Sequence, residues 1–356
     1  MFQVRVNNLA KKLSENNLEG LIVSKPENIY YISGFSGEGI AIITGSQNYI
    51  ITDFRYSEQA KHETSFEVVE IGSGVSHFSI AHNIIKELGL LTIGFERHSL
   101  TVKEYDNLIS HFKNIKLLKT DGLIEELRII KDENEITFIK NAQKITDKAF
   151  EHILGFIKPG ESELDLVAEL EYFMKKSGSK KVAFETILIS GPKTSLPHGI
   201  PSERKLQYGD FVTIDFGARF NGYCSDMTRT IVIGKPSEQQ QSIYNTVLRA
   251  QIKALELIKP GLKGKDIDYV ARDYISEQGY GKNFGHGLGH GVGLEIHEEP
   301  RLSPKSESTL LPGMVVTVEP GIYIEKFGGV RIEDMIVLTE NGCENLTHSE
   351  KRLICL

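Results

Sequence analysis

The first third of the chain alternates between helical and strand-like spacings of its hydrophobic residues. Helical spacing covers 9–17 and 78–88, whereas short apolar runs typical of strands occupy 20–24, 40–44, 49–52 and 91–95. Helices that alternate with strands along the chain are characteristic of α/β proteins. The pattern therefore predicts an α/β domain over residues 1–127.

A different pattern begins near residue 128. The charged stretch 128–135 leads into a long helical repeat at 133–155, with Asp132 as its N-cap and Glu135 as the capping-box partner. Further helices are expected near 163–177, 237–258 and 266–278, with glycine-punctuated, β-rich stretches between and after them. This arrangement predicts a second domain, 128–356, of the α+β class, in which helices back an antiparallel sheet.

The second domain contains two copies of one pattern. Residues 209–217, GDFVTIDFG, align with 313–321, GMVVTVEPG, and this alignment places Asp215 over Glu319. The stretch 149–178 aligns in the same way with 250–279, and both copies contain Ile-Lys-Pro-Gly. The period is too long for a solenoid, so it predicts two fused half-domains related by a pseudo-two-fold axis, with a cleft where they meet.

The composition argues against several classes of function. The formal net charge is −7 with a pI near 5.9 and no basic tail, so neither nucleic acid nor an anionic membrane is expected as a partner. No apolar run of about 18 residues is present and the N-terminal residues do not resemble a signal peptide, which favours a cytoplasmic protein. The three cysteines, Cys224, Cys343 and Cys355, form neither a disulfide framework nor a metal-binding spacing.

Four carboxylates fall at matched positions of the two halves. Asp226 follows the strand that contains Asp215, as Glu333 follows the strand that contains Glu319. Buried together, four negative charges would repel one another strongly unless cations neutralised them. The two pairs therefore predict a site for metal ions, and His290 offers a fifth ligand.

The sequence between Asp215 and Asp226 predicts how these two side chains meet. Asn221-Gly222 is a strong signal for a two-residue hairpin turn. With that turn, Asp215 lies opposite Thr228, and Asp226 is a diagonal neighbour on the same face, about 7 Å away at the backbone. The alternative, a pair of solvated acids on an exposed sheet face, conflicts with the apolar residues on both sides of Asp215.

Histidines and an arginine accompany the carboxylates. His286, His290 and His297 share one glycine-rich segment, which lacks the spacing and the preceding strand of a dinucleotide-binding loop. His198 lies between two prolines and, considered alone, would more often be structural than catalytic. Arg331 is two residues from Glu333, so both side chains would point the same way in one strand; an ordinary salt bridge on an outer face is the alternative.

The ligand types limit the chemistry. Carboxylates with one imidazole suit Mn²⁺, Fe²⁺ or Co²⁺, and Zn²⁺ also occupies such sites, so the ligands leave the identity of the metal open. Two such ions could lower the pKa of a bridging water and polarise a carbonyl group. This combination indicates a hydrolase.

Taken together, these residues resemble those of the pita-bread metallopeptidases, which include methionine aminopeptidase, Xaa-Pro aminopeptidase and Xaa-Pro dipeptidase (prolidase). The family's metal ligands are an Asp, a second Asp after a hairpin, a His in a glycine-rich segment and two Glu near the C-terminus. Matching residues occupy every position: Asp215, Asp226, His290, Glu319 and Glu333. The resemblance runs from residue 130 or so to the end and implies a pita-bread fold with two divalent metal ions. Manganese is the expected metal, with cobalt, zinc or iron as alternatives.

The N-terminal residues resemble the creatinase/prolidase N-terminal domain, which methionine aminopeptidases usually lack. The similarity rests on Asn28-Ile-Tyr-Tyr31-Ile-Ser-Gly34-Phe35 and on Asp53-Phe-Arg-Tyr56. Together with the positions of His198, His286, His297 and Arg331, this domain favours the members that cleave Xaa-Pro bonds. The short chain is similar to the bacterial Xaa-Pro dipeptidases.

The resemblance also implies roles for individual residues. A metal-bridging hydroxide would attack the scissile carbonyl of an Xaa-Pro dipeptide, with Glu319 as metal ligand and general acid/base. His297 and His198 would stabilise the tetrahedral intermediate or hold the substrate, His286 belongs to the same catalytic group, and Arg331 would steady the ligands. A homodimer is expected, and the residue that binds the free carboxylate of the dipeptide is left open.

Two other functions fit the resemblance. An Xaa-Pro aminopeptidase differs only in whether longer peptides fit the cleft. A catalytically inactive pita-bread binding protein is the alternative from a different class. Such proteins, like the creatinase-type amidinohydrolases, generally lack the metal ligands that this chain retains.

Overall fold

The structure is a computed structural model that describes residues 2–356. The chain divides into two compact units, which meet in sequence between Arg128 and Ile129. Each unit has its own sheet system and its own hydrophobic core.

The N-terminal unit is an α/β domain built on one six-stranded sheet. Its helices are α1 (Phe2–Glu15), α2 (Pro26–Ser33), α3 (Phe54–Glu63), α4 (His77–Glu87), α5 (Val102–His111) and α6 (Glu125–Arg128). Its strands are β1 (Gly20–Val23), β2 (Ile40–Ile43), β3 (Asn48–Asp53), β4 (Glu67–Ile71), β5 (Thr92–Glu96) and β6 (Lys116–Thr120).

The order of strands in this sheet is β4-β3-β2-β1-β5-β6. Strand β2 is antiparallel to both neighbours, whereas β1, β5 and β6 run parallel to one another, as do β3 and β4. The α/β class predicted from the alternation of elements is confirmed. The pattern did not single out β4 and β6, because these edge strands bury few of their side chains.

The C-terminal unit begins with the helix predicted from the charged stretch. Asp132 accepts hydrogen bonds from the backbone N–H groups of Asn134 and Glu135, and the Glu135 side chain accepts one from the Asp132 N–H. The predicted capping box is therefore confirmed. The four helices of the unit are α7 (Glu133–Leu154), α8 (Glu163–Lys176), α9 (Glu238–Leu257) and α10 (Gly264–Glu277).

All strand pairs of the C-terminal unit are antiparallel. The strands are β7 (Ile187–Ser190), β8 (Phe211–Phe216), β9 (Arg219–Phe220), β10 (Tyr223–Cys224), β11 (Met227–Val232), β12 (Gly289–Gly291), β13 (Glu298–Leu302), β14 (Val315–Val318), β15 (Gly321–Ile324), β16 (Gly328–Arg331), β17 (Asp334–Leu338) and β18 (Cys343–Asn345). They form a sheet in each half, β11-β8-β7 and β13-β12-β14-β17-β18, and two separate hairpins, β9–β10 and β15–β16. Helices α7 and α8 pack on the first sheet, and α9 and α10 on the second.

The duplication predicted from the sequence is present in the backbone. Three pairs of matched glycines adopt positive φ in both halves: 92° and 87° at Gly160 and Gly261, 106° and 86° at Gly178 and Gly279, and 86° and 84° at Gly209 and Gly313. The N–H of Gly160 donates to the carbonyl of Leu206, and the N–H of Gly261 donates to that of Leu310, both at 2.9 Å. The two halves therefore repeat one helix–sheet unit, turns included.

Candidate metal centre

A cavity of about 600 Å³ opens in the C-terminal unit. Because side chains alternate along a strand, Val212, Ile214 and Phe216 of β8 enter the core under the helices, which leaves Asp215 for the opposite face. Val316 and Val318 of β14 are buried in the same way, which leaves Glu319 on the cavity side. The cavity is lined by all the predicted site residues: Asp215, Asp226, His290, Glu319, Glu333, His198, His286, His297 and Arg331.

The hairpin between the two aspartates has the predicted register. Asn221 and Gly222 adopt φ of 48° and 85°, as a two-residue turn of the primed type requires, and Phe220 pairs with Tyr223. Asp215 consequently lies opposite Thr228. The Asn-Gly turn thus sets the distance along the hairpin between Asp215 and Asp226.

The two glutamates are fixed where the halves adjoin. The backbone N–H of Glu333 donates to the carbonyl of Thr228 at 3.1 Å, and the Thr228 hydroxyl donates to Glu333 Oε2 at 2.7 Å. Glu319 lies at the end of β14, and its N–H donates to the carbonyl of Leu288. Glu333 lies between β16 and β17, so Arg331 and Glu333 do not share a strand as the sequence had suggested, although both reach the cavity.

His290 is oriented by its own backbone neighbourhood. Its Nδ1 lies 3.1 Å from the carbonyl of Gly291, and because a carbonyl only accepts, Nδ1 carries the proton. Its Nε2 lies 3.3 Å from Glu319 Oε1 and 3.6 Å from Asp226 Oδ2. Once Nε2 carries no proton, its lone pair would be placed to bind a cation that lies between these carboxylates.

Burial and repulsion raise the pKa values of three carboxyls. For Asp226 and Glu333 the pKa lies well above its usual value, first because of burial and then because of the neighbouring carboxylates. Burial also raises the pKa of Asp215, although the Arg331 charge opposes this change. At Glu319 burial again acts to raise the pKa, but His290 outweighs it and lowers the pKa to about 2.

The residues present fit divalent cations. Among residues 2–356, Asp215 Oδ1 and Glu333 Oε1 are buried side-chain oxygens that accept no hydrogen bond. Ligand atoms of Asp226, His290 and Glu333 lie within 4.8 Å of one another, while Asp215 faces Arg331 and Glu319 faces His290 in the same cavity. Unsatisfied oxygens and clustered anions both cost free energy, and bound cations would remove both costs.

Arg331 is buried, so the alternative of an ordinary salt bridge on an outer face is wrong. Its Nη2 donates to Asp215 Oδ2 at 2.5 Å and its Nε donates to the Thr228 hydroxyl at 3.0 Å. A third donor, Nη1, reaches the carbonyl of Pro197 at 3.3 Å and the hydroxyl of Tyr323 at 2.9 Å. The guanidinium therefore connects a carboxylate of the first half with the loop that contains His198.

The remaining histidines occupy the cavity wall in different ways. His286 Nδ1–H donates to the carbonyl of Gly287, its Nε2 accepts from the Tyr323 hydroxyl, and burial lowers its pKa. His297 is exposed at the cavity and packs edge-on against His290; burial of part of the ring and then the His290 charge lower its pKa to about 4. Because its pKa lies near 4, His297 is neutral at pH 7 and can act as a hydrogen-bond donor. His198 lies exposed on the opposite loop.

Comparison with known proteins places this chain in a family. The chain matches the sequence profile of metallopeptidase family M24 over residues 137–340, and that of the creatinase/prolidase N-terminal domain over residues 5–130. The chain belongs to metallopeptidase family M24. Its fold is accordingly a two-domain arrangement, an N-terminal creatinase-type domain followed by a pita-bread domain.

Relatives within the M24 family carry proline-specific names. The Xaa-Pro dipeptidase of Pyrococcus furiosus is 43% identical, over 98% of this chain and 99% of that protein. The structure of an Xaa-Pro dipeptidase from Bacillus anthracis is 44% identical, covers all of both chains and superposes with a TM-score of 0.97. An X-Pro aminopeptidase from Thermotoga maritima is 40% identical over 96% of this chain and 99% of its own, with a TM-score of 0.91.

Arg301 and Tyr323 are polar residues of this site that the sequence did not reveal. Arg301 lines the cavity from β13, where it pairs in register with His290 of β12, and a β-bulge after His290 shifts the strands at this point. Tyr323 joins His286 to Arg331 through its hydroxyl. Sequence spacing could not have identified either residue, because an irregular strand pairing brings Arg301 to the site and a hairpin between the two glutamates brings Tyr323 there.

Within residues 2–356, no helix combines the length and the apolar character needed to span a membrane.

Proposed function

We propose that this protein is a metal-dependent Xaa-Pro dipeptidase, which hydrolyses the bond between a first residue and proline in dipeptides. The observation that carries the proposal is the convergence of four carboxylates and His290 in one cavity whose wall presents further histidines and two arginines. We assign the metal ligands as Asp215, Asp226, His290, Glu319 and Glu333. Residues 1–127 and 128–356 are assigned as the N-terminal domain and the catalytic domain.

The chemistry divides between the cations and the chain. Two divalent cations would lower the pKa of a water molecule and polarise the scissile carbonyl. We assign Glu319, whose carboxyl has a pKa of about 2 in the metal-free protein, as the acceptor of the proton from the attacking water. Its Oε1 already accepts a hydrogen bond from the Thr317 hydroxyl, so we assign the proton to Oε2 and its delivery to the leaving proline nitrogen.

His297 and His198 act on the substrate carbonyl. A neutral imidazole offers an N–H donor without adding a charge, which suits an oxygen that becomes negative only in the transition state. His297, with its pKa near 4, meets that requirement at neutral pH. His286 acts less directly, because Gly287 and Tyr323 occupy both of its ring nitrogens.

Arg301 is our candidate for binding the free carboxylate of the dipeptide. Arg331 is the other arginine of the cavity wall, and its guanidinium is already engaged by Asp215 and by three other acceptors. The closest carboxylate partner of Arg301, Glu299, lies 4.0 Å away, and the arginine side chain is 46% exposed. A carboxylate that follows proline would therefore find a guanidinium in the cavity.

The same site supports a second candidate, an Xaa-Pro aminopeptidase that accepts longer peptides. The similarity to a Thermotoga maritima protein with that name favours its consideration. The inactive binding protein receives no support from the ligand set, since all five positions retain metal-binding side chains. The proposal also includes manganese as the metal, a homodimer as the assembly and the cytoplasm as the location.

Release of the first residue from peptides tests the proposal. The metal-stripped protein, supplied with Mn²⁺, would be given an Xaa-Pro dipeptide and an Xaa-Pro-Yaa tripeptide with the same first residue, with D226N as the metal-site control. Cleavage of the dipeptide alone supports a dipeptidase. Equal or better cleavage of the tripeptide indicates an aminopeptidase, and failure with Mn²⁺, Co²⁺ and Zn²⁺ alike would remove the assignment of proline specificity.

A further inference from the structure

The loop that contains His198 runs from the end of β7 to the approach to β8. Its tip is open to solvent, since His198 is exposed and Ile200 retains 77% of its accessible surface. Both ends of the loop nevertheless return to one buried side chain, that of Glu163 at the start of α8. Glu163 lines no part of the cavity and is not among the residues assigned to the reaction.

The Glu163 carboxylate accepts five hydrogen bonds from the loop. At the first end, Oε1 accepts from the backbone N–H and the hydroxyl of Ser190, both at 2.8 Å. At the second end, Oε2 accepts from the N–H of Ser202 at 2.9 Å and from its hydroxyl at 2.8 Å. Between these ends, Lys193 Nζ donates to Oε2 at 2.9 Å and also to the Ser202 hydroxyl at 2.9 Å. Oε1 therefore binds the first end of the loop, and Oε2 binds the second.

The environment keeps this carboxylate ionised and immobile. Its side chain is 0% exposed, whereas Lys193 reaches solvent at 23%. Burial acts to raise the pKa of Glu163, but the hydrogen bonds from Lys193, Ser190 and Ser202 outweigh burial and lower it. A charged acceptor bound by several donors makes stronger hydrogen bonds than a neutral one. Releasing the loop would thus leave a buried charge without its partners.

This arrangement is particular to the first half of the duplicated unit. In the alignment of 149–178 with 250–279, the position of Glu163 corresponds to Gly264. A Cβ at Gly264 would lie 2.3 Å from the carbonyl oxygen of Arg301, so no side chain fits there. The repeated helix start therefore does not itself require Glu163. What differs in the first half is the loop with His198.

We propose that Glu163 is a positioning residue that fixes the His198 loop by binding both of its ends. The Glu163 carboxylate binds the residues on both sides of the segment 191–201. In the middle of this segment, Arg331 donates a hydrogen bond to the carbonyl of Pro197, directly before His198. The imidazole is thereby restricted to one region of the cavity mouth, although its own surroundings are open. The inference rests on the proposed function only for the claim that His198 acts on the substrate.

A double-mutant cycle tests whether Glu163 acts through His198. We expect E163Q to lower kcat/KM for the Xaa-Pro dipeptide by about tenfold to a hundredfold, since small misplacements of a catalytic group have effects of this size. H198A should lower it at least as much, and E163Q/H198A should lie within about twofold of H198A alone. Independent, multiplicative effects of the two substitutions would overturn the inference.

D147N provides a matched control. Asp147 also binds a loop through backbone and hydroxyl donors, those of His348 and Ser349, but it does not line the cavity. D147N should leave kcat/KM within about twofold of wild type. If E163Q proves unable to fold, S202A and K193M can replace it in the double-mutant cycle with H198A, because each removes a single donor from the same carboxylate.

Amide hydrogen exchange gives a readout that does not depend on activity. In metal-free protein, E163Q should accelerate exchange within 190–202 by tenfold or more while exchange in α9 and α10 stays unchanged. Unchanged exchange in the loop would refute the positioning role even if activity fell. If wild-type protein released no amino acid from any Xaa-Pro peptide, the proposed function would fail, and the exchange result would still decide whether Glu163 fixes the loop.

Discussion

Nη2 of Arg331 donates a hydrogen bond to Oδ2 of Asp215 across 2.5 Å, although 116 residues separate them in sequence. The same guanidinium binds the hydroxyls of Thr228 and Tyr323. One oxygen of Asp215 is thus committed to the arginine, and the other, Oδ1, is left without a hydrogen bond among the described residues. Arg331 therefore presents a single oxygen of Asp215 to a cation.

Replacing Arg331 by methionine should weaken metal binding. R331M removes the positive charge and the donors that orient Asp215, and substitutions of residues that orient a ligand typically cost tenfold to a hundredfold in affinity or activity. We expect a loss of about that size in Mn²⁺ affinity, measured by calorimetric titration of the metal-stripped protein. R352M, which removes an exposed arginine paired with Glu350, should bind Mn²⁺ as wild type does. Equal affinity in both variants would contradict the role of Arg331.

Removing one acid from the centre should stabilise the metal-free protein. Asp226 is buried among like charges, so D226N should raise the free energy of unfolding without metal by about 1–3 kcal/mol. The same substitution removes a proposed ligand and should abolish most of the increase in Tm that Mn²⁺ causes in wild type. Thermal melts with EDTA and with Mn²⁺ measure both effects. A less stable metal-free D226N would show that the carboxylates do not repel one another.

The stability of the metal-free protein should fall as pH rises. Asp226, Asp215 and Glu333 have pKa values in the folded state above those in the unfolded chain. Through these three groups the folded state binds more protons than the unfolded state above about pH 4, so their contribution to stability decreases with rising pH through the raised pKa values. His286 and His297, whose pKa values are lowered, act in the opposite sense only below about pH 6.5. Urea unfolding of the EDTA-treated protein between pH 5 and 8 measures the slope. D226N should show a shallower slope, and an identical one would count against this origin.

The role of Arg301 can be tested with substrates that lack a carboxylate. If Arg301 binds the carboxylate of the dipeptide, R301A should lower kcat/KM for an Xaa-Pro dipeptide by about tenfold to a hundredfold, as expected for a lost hydrogen bond to a charged group. The corresponding Xaa-Pro amide should be cleaved equally by R301A and wild type. A parallel loss on both substrates would mean that Arg301 serves the structure of β13 instead.

Gly217 should be intolerant of any side chain. A Cβ at this position would lie 1.9 Å from the carbonyl oxygen of Ser225, the residue directly before Asp226. G217A must therefore push apart the strands that carry the two aspartates, at a cost of about 1–3 kcal/mol and with at least tenfold weaker Mn²⁺ binding. Gly209 is the matched control, since it has φ of 86° and open space around its Cβ position. G209A should lose some stability but keep the metal affinity.

Much of this structure was accessible from the sequence because short-range rules governed it. The capping box of Asp132 and the register of Asp215 with Thr228 both followed from a few adjacent residues. The proposed metal ligands were accessible for a different reason. Duplication placed the four carboxylates at matched positions, and the family resemblance supported them together with His290.

Other features depend on contacts that no local pattern contains. Arg301 reaches the cavity through an irregular pairing with His290, and Tyr323 through a hairpin that separates Arg331 from Glu319. The binding of Glu163 to Ser190 and Ser202 joins a helix start to residues 27 and 39 positions away. Local charge and turn signals determine the structure of each segment, but the contacts between segments depend on the complete fold.

The two halves are copies, yet the ligand set is not symmetric. Ser190 pairs with Val212 in the first half and Gly291 with the matched Val316 in the second, so His290 occupies the place that Ile189 has in the first half. A symmetric pair of identical half-size chains would present either two imidazoles or two aliphatic side chains at these positions. In a single polypeptide the two copies can differ, so the second half places an imidazole where the first half has a buried isoleucine. The proposed fifth ligand, His290, is thus provided by only one of the two repeats.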